Sequence, residues 1–142
     1  MSRKIARESL YKLIFEFLFR GINDYTFELL MLDKELDDVD RVYIDTVYRG
    51  VVERFEELKA IISEFAIGYT FDRIVKADKA ALLLSIYELK YMPDIPPSAS
   101  INEAVDLVKR YSTEKSSSFV NGILASALIK IQGDKNGNKD MR

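Results

Sequence analysis

Between Asp78 and Tyr91 the chain reads Asp-Lys-Ala-Ala-Leu-Leu-Leu-Ser-Ile-Tyr-Glu-Leu-Lys-Tyr, a helical stretch that is apolar on nearly every face. A helix of that kind has no side to offer to water, so other helices must surround it. The rest of the chain therefore has to supply a helical wrapping. All three prolines, Pro93, Pro96 and Pro97, fall in the next seven residues and predict an extended connector in place of a continued helix.

The wrapping is legible as further helical periodicity. Six scattered glycines and almost no β-branched alternation leave little room for strands. Ile5, Leu10, Leu13, Ile14, Phe17 and Leu18 predict a first helix from about Arg3 to Phe19, closed by Gly21. A second is expected from about Tyr25 to Lys34 with Asp24 as its N-cap. The third starts after Asp37 or Asp38 and carries Val42, Tyr43, Val47 and Val51, with Gly50 a point of bending or interruption. Leu58, Ile61, Ile62 and Phe65 mark the fourth, which Gly68 can close. After the prolines, Ser100-Ile-Asn-Glu103 has capping-box spacing for a sixth helix. Phe119, Val120, Ile123, Leu124, Ala127, Leu128 and Ile131 define a seventh.

The expected fold is all-α, about seven helices in two packed subdomains, one through about residue 67 and one over about 68–133. A chain of 142 residues suits one domain with a real core, here 1–133. Residues 134–142 lack an apolar pattern and are expected to form a disordered tail. No apolar run approaches a membrane span, and the basic, partly apolar N-terminus lacks a cleavage site, so a cytoplasmic protein is expected.

The composition also limits the chemistry. With no His and no Cys, the common zinc sites, thiol nucleophiles and Ser-His triads are absent, and no catalytic, metal or cofactor site is expected. The pairs Glu56-Glu57 and Asp37-Asp38 point to different helix faces and read as solvated faces and caps. Net charge is −2 but sorted: residues 1–22 carry +3, residues 23–64 carry −7 and residues 105–142 carry +3. An acidic average thus leaves room for an anionic ligand at a patch built from the two ends.

Two segments could form that patch. Arg3, Lys4 and Arg7 crowd the start of the first helix, where cations oppose the helix dipole by about 0.3–1 kcal/mol each. Arg3 and Arg7, four apart on one face, suit phosphate or base stacking, and their joint replacement by alanine is expected to spare the fold. The plainer alternative is a solvated basic terminus paired with Glu8. The second segment, Ser112 to Gly122, sets hydroxyls and a helix N-terminus where anions bind, although such residues more often serve as N-caps. Phe119 could stack on an unpaired base, but its apolar series favours the core. Asn121 reads as a buried hydrogen-bonding group.

Four blocks then fall in register with one family. Arg3-Lys4-Ile5-Ala6-Arg7-Glu8, Ile86-Tyr87-Glu88-Leu89, Asp94-Ile95-Pro96 with Ile101-Asn102-Glu103-Ala104-Val105, and Phe119-Val120-Asn121-Gly122 resemble the signature segments of the NusB family. The resemblance implies a seven-helix fold and a bacterial antitermination role. Such a protein binds boxA-type single-stranded RNA together with NusE, a small-subunit ribosomal protein, and acts on the RNA polymerase elongation complex through other Nus factors, notably on ribosomal RNA operons. It further implies RNA contacts at Arg3, Lys4, Arg7, Lys115, Ser118 and Phe119, and NusE contacts at Phe15 and Asp78. Phe15 and Asp78 stand where relatives can have Tyr and Glu, Lys115 where an acidic residue can occur, and Leu83 where an Arg is often found.

Two other readings stay open on sequence: a helical scaffold that binds only proteins, and a stand-alone relative of the helical domain of RNA cytosine methyltransferases. A monomer and a homodimer that hides its RNA face are both compatible with the chain.

Overall fold

A computed structural model of the chain describes the backbone of residues 2–140 and the side chains of residues 3–135. Among the described residues seven α-helices follow one another: α1 (Ser2–Arg20), α2 (Asp24–Met31), α3 (Asp38–Glu53), α4 (Phe55–Phe65), α5 (Lys76–Tyr91), α6 (Pro97–Tyr111) and α7 (Glu114–Asp140), with a 3-10 turn, Phe71–Arg73, ahead of α5. No strand occurs among the described residues, as the helical periodicity requires. None of the described helices is long and apolar enough to cross a membrane.

The apolar run is the centre of the fold. Every residue of α5 from Asp78 to Leu89 is buried, and α1, α3, α4, α6 and α7 all pack on it. Leu82, Leu83, Leu84 and Ile86 are completely enclosed, and each such side chain contributes about 1.5–3 kcal/mol. A charged residue at position 83 would face this core, so Leu83 suits its surroundings. Gly50 does not interrupt α3 as expected. Its role is packing: the Tyr87 ring of α5 occupies the space that a Cβ at position 50 would need. The helical ladder breaks step at Arg54 instead, between α3 and α4.

Helix ends explain the other departures. α1 stops where expected, at Gly21, whose φ of +79° is open to glycine at little cost. The N-cap of α2 is Asn23, not Asp24: its side chain accepts from Tyr25 N at 3.1 Å and Thr26 N at 3.3 Å. Asp24 is the first helical residue, where a carboxylate favours the dipole. α2 also ends at Met31, short of Lys34, because Arg41 of α3 turns back to donate to the carbonyls of Met31 and Asp33, each at 2.8 Å. α3 opens with a capping box between Asp37 and Asp40.

α6 begins at Pro97, not at the Ser100 capping box. Proline is suited to the first helical position, where its missing N–H has no partner to lose. Ser100 thereby lies a turn inside the helix, buried against α5. Finally, the segment expected as a disordered tail continues as helix to Asp140, and residues 141–142 lie outside the described structure. Adding residues to an existing helix avoids the cost of nucleation, and Ile131, buried one turn before the segment, holds that end on the core.

Candidate nucleic-acid interface

The candidate residues of α1 do not share one fate. Lys4 is exposed. Arg3 is half-buried, its guanidinium 4.1 Å from the centroid of the Tyr43 ring and its Nε without a hydrogen-bond partner. Arg7 is 6% exposed and belongs to the interior. Its Nε and Nη2 each donate to the Glu88 carboxylate at 3.3 Å. Burial works against the Arg7 charge, but Tyr43 and Glu88 outweigh it and hold its pKa above the ordinary value.

Glu88 is the hub of this network. It also accepts from the Tyr43 hydroxyl and, at 2.7 Å, from Ser100, which in turn meets Ser85 at 2.8 Å. Four helices are thus tied together by one carboxylate. Arg7, one of the residues expected to meet RNA, is here a buried cation with a buried partner, so it serves as a structural tie, and its replacement by alanine, expected to spare the fold, should instead destabilise it. In the sequence Glu88 stands only as part of the Ile86-Tyr87-Glu88-Leu89 segment, with no partner assigned, although a carboxylate near the end of a helix apolar on nearly all sides signals a required partner.

Further along α1, Glu8 joins the helix to the end of α6. It accepts from Arg110 Nη1 at 3.0 Å and from the Tyr111 hydroxyl, and these bonds hold its pKa at about 2. Lys12 lies 5.5 Å from the Tyr111 ring, and Tyr11 packs on the same ring at 5.6 Å while donating to the Ala77 carbonyl at 2.8 Å. Arg110 and Tyr111 were not expected to take part. Only a fold that brings α1 beside α6 makes Glu8 their partner.

Next to this junction a cleft of about 320 Å³ opens between α5 and the start of α7, its walls including Tyr69, Arg73, Asp78, Thr113, Lys115 and Phe119. Thr113 provides the helix start, its Oγ1 accepting from Ser116 N at 3.1 Å. Lys115 is therefore exposed on the first turn, and Phe119 lies one turn further in, half-buried and edge-on to Tyr69 at 5.3 Å. Asp78 is 5% exposed, with Oδ1 lacking any hydrogen-bond partner. It is not a helix cap, since α5 begins at Lys76. Ser118 is exposed but not part of the cleft wall, and Asn121 is exposed, not buried as expected.

The structure thus gathers Lys115, Phe119 and Asp78 and leaves the α1 cations apart. Arg3 lines a different groove, with Val39, Val42 and Met92. Phe15 is 40% exposed on α1, one turn beyond Tyr11, and does not line the cleft. Chemically the cleft offers cations for phosphate, aromatic edges for bases and a carboxylate for a basic partner. No cluster of metal-ligating side chains occurs among the described residues.

The pattern of the NusB family matches residues 2–128. The transcription antitermination protein NusB of Acetivibrio thermocellus is 38% identical over 143 residues, spanning 99% of each chain. That of Agathobacter rectalis is 38% identical over 128 residues, covering 88% of this chain and 98% of its own. NusB of T. maritima superposes with a TM-score of 0.82 at 32% identity, over 90% of this chain and 91% of that one. A structure of the antitermination factors NusB and NusE in complex with double-stranded RNA gives a TM-score of 0.81 at 27% identity, covering 91% of this chain and 97% of that one. On the extent of the pattern and the identity of these full-length relatives, the chain belongs to the NusB family.

Proposed function

We infer that this protein is a transcription antitermination factor that binds RNA jointly with NusE, promoting processive transcription as an adaptor and not as a catalyst. The RNA expected is a boxA-type single strand. One observation carries the reading: Asp78, the residue expected to meet NusE, lines the same cleft as Lys115 and Phe119, the residues expected to meet RNA. Two ligands that meet at one cleft can contact each other as well as the protein, which is a direct physical route to cooperative binding. The chain alone offers few cations and few stacking rings there, so its own RNA affinity is low.

The test is a fluorescence titration of boxA RNA and a scrambled strand, with and without NusE, at two salt concentrations. The expected result is weak binding alone and tighter binding of boxA with NusE. By linkage, boxA must tighten the NusE pair by the same factor. Equal affinity for the scrambled strand, or no effect of NusE, would favour a purely protein-binding scaffold.

A further inference from the structure

α2 contributes no buried residue to the core. Its inner side, Phe27, Leu30 and Met31, is only partly buried. Its outer side carries Tyr25 and Leu29, continued by Leu32 at the C-cap, and these are 71%, 51% and 75% exposed. Spaced four and three apart, they form one apolar stripe on the helix. Exposed apolar residues scattered singly need no explanation, but a continuous stripe marks an interaction surface.

Beside the stripe a groove of about 450 Å³ runs between α2 and α3, with Phe27, Tyr48 and Val52 among its walls and the acidic residues Asp24 and Glu53 completing them. The charge around it is one-sided. From Ile22 to Asp38 the chain has six carboxylates and one lysine. Arg49, the cation in the groove, is engaged by Asp45 and packs over Phe27 at 5.3 Å. The surface is therefore apolar in the middle and negative at its edge, and it shares no residue with the RNA cleft.

That charge selects the occupant. Phosphate backbones and anionic lipids are repelled, and a second copy would set carboxylates against carboxylates. We propose that the α2 face and its groove form a second docking site, for a lysine- or arginine-rich amphipathic helix of another protein. A bulky apolar side chain of that helix enters the groove, its apolar stripe covers Leu29 and Leu32, and its cations meet Asp24 and Glu53. The mode is helix-in-groove recognition with charge complementarity at the rim.

The probe is a labelled amphipathic peptide of leucine and lysine, about four helical turns long, with a leucine–glutamate peptide as its counterpart. The expected result is saturable binding of the lysine peptide by the full chain, weakened at least about tenfold in Leu29→Ser/Leu32→Ser and again in Asp24→Lys/Glu53→Lys. Leu29 and Leu32 are exposed, so the serine variant leaves the melting temperature nearly unchanged, which separates lost docking from lost folding. The proposal is overturned if the lysine peptide does not bind, if the serine variant binds it as well as the parent does, or if the glutamate peptide binds equally. It is also overturned if sedimentation shows self-association that the serine variant abolishes, because the occupant would then be a second copy.

Discussion

Arg7 and Glu88, 81 positions apart in sequence, face each other in the core with Nη2 and Oε2 3.2 Å apart and almost no solvent contact on either side chain. Breaking a buried ion pair from one side leaves the other charge stranded, which costs about 3–5 kcal/mol. Arg7→Ala should therefore lower the urea midpoint severely, whereas Lys4→Ala on the exposed side of the same helix should change it little. Arg7→Met with Glu88→Gln keeps volume, and the amide accepts from one of the Tyr43 and Ser100 hydroxyls while donating to the other, so the pair should recover much of the loss. Equal, small effects of Arg7→Ala and Lys4→Ala would show that the pair is not buried in solution.

Gly50 gives a test of the α3–α5 contact. A methyl group there collides with the ring of Tyr87, and overpacking of this kind costs about 1–3 kcal/mol, against a gain of about 0.8–1 kcal/mol from Ala in a helix interior. Gly50→Ala should destabilise, and Tyr87→Leu should make the same change better tolerated. Thermal melts of the two single variants and the double variant give the coupling. Strict additivity would mean that the two helices are not in contact at this point.

The central helix was legible from composition alone, because a segment apolar on every face admits one placement. Pairings across the chain were not. Arg7 looked like a surface cation since its spacing with Arg3 puts both on one face, yet helical spacing says nothing of what lies opposite that face. Glu88 was the missing half of the argument. Pro97 and Ser100 show a second limit: a capping-box pattern and a proline compete for the helix start, and the proline wins because it is tolerated at the first position. Asp78 and Lys115 are 37 positions apart, and only the packing of α7 on α5 brings them to one cleft.

Glu8 links α1 to α6, and its titration reports on that link. Hydrogen bonds from Tyr111 and Arg110 lower its folded pKa from 4.5 to about 2. A depressed carboxylate pKa stabilises the folded state fully above the unfolded value and loses that contribution as pH falls through the folded one. The stability difference between the parent and Glu8→Gln should thus be constant near neutrality, shrink below about pH 4.5 and level off near pH 2. Urea titrations at several acidic pH values measure it. A difference that does not narrow in that window would place the Glu8 carboxylate away from Tyr111 and Arg110.

Asp78 is the residue where folding and function pull apart. Its Oδ1 is buried without a hydrogen-bond partner, and an unsatisfied buried polar atom costs about 1–3 kcal/mol. The third position of a helix favours a carboxylate by about 0.3–1 kcal/mol, so the free chain gains less from this group than it gives up. A basic side chain of NusE entering the cleft would supply the absent donor and reverse that sign. Asp78→Asn keeps the shape, removes the charge and should leave the melting temperature of the free chain unchanged or slightly raised. The same variant should weaken NusE binding at least about tenfold, about 1.4 kcal/mol, and lower RNA affinity only when NusE is present, since the coupling runs through the partner. Calorimetry with NusE and RNA titration with and without it separate these effects. Lower RNA affinity of the isolated chain, with the NusE pair unaffected, would instead make Asp78 part of the RNA face.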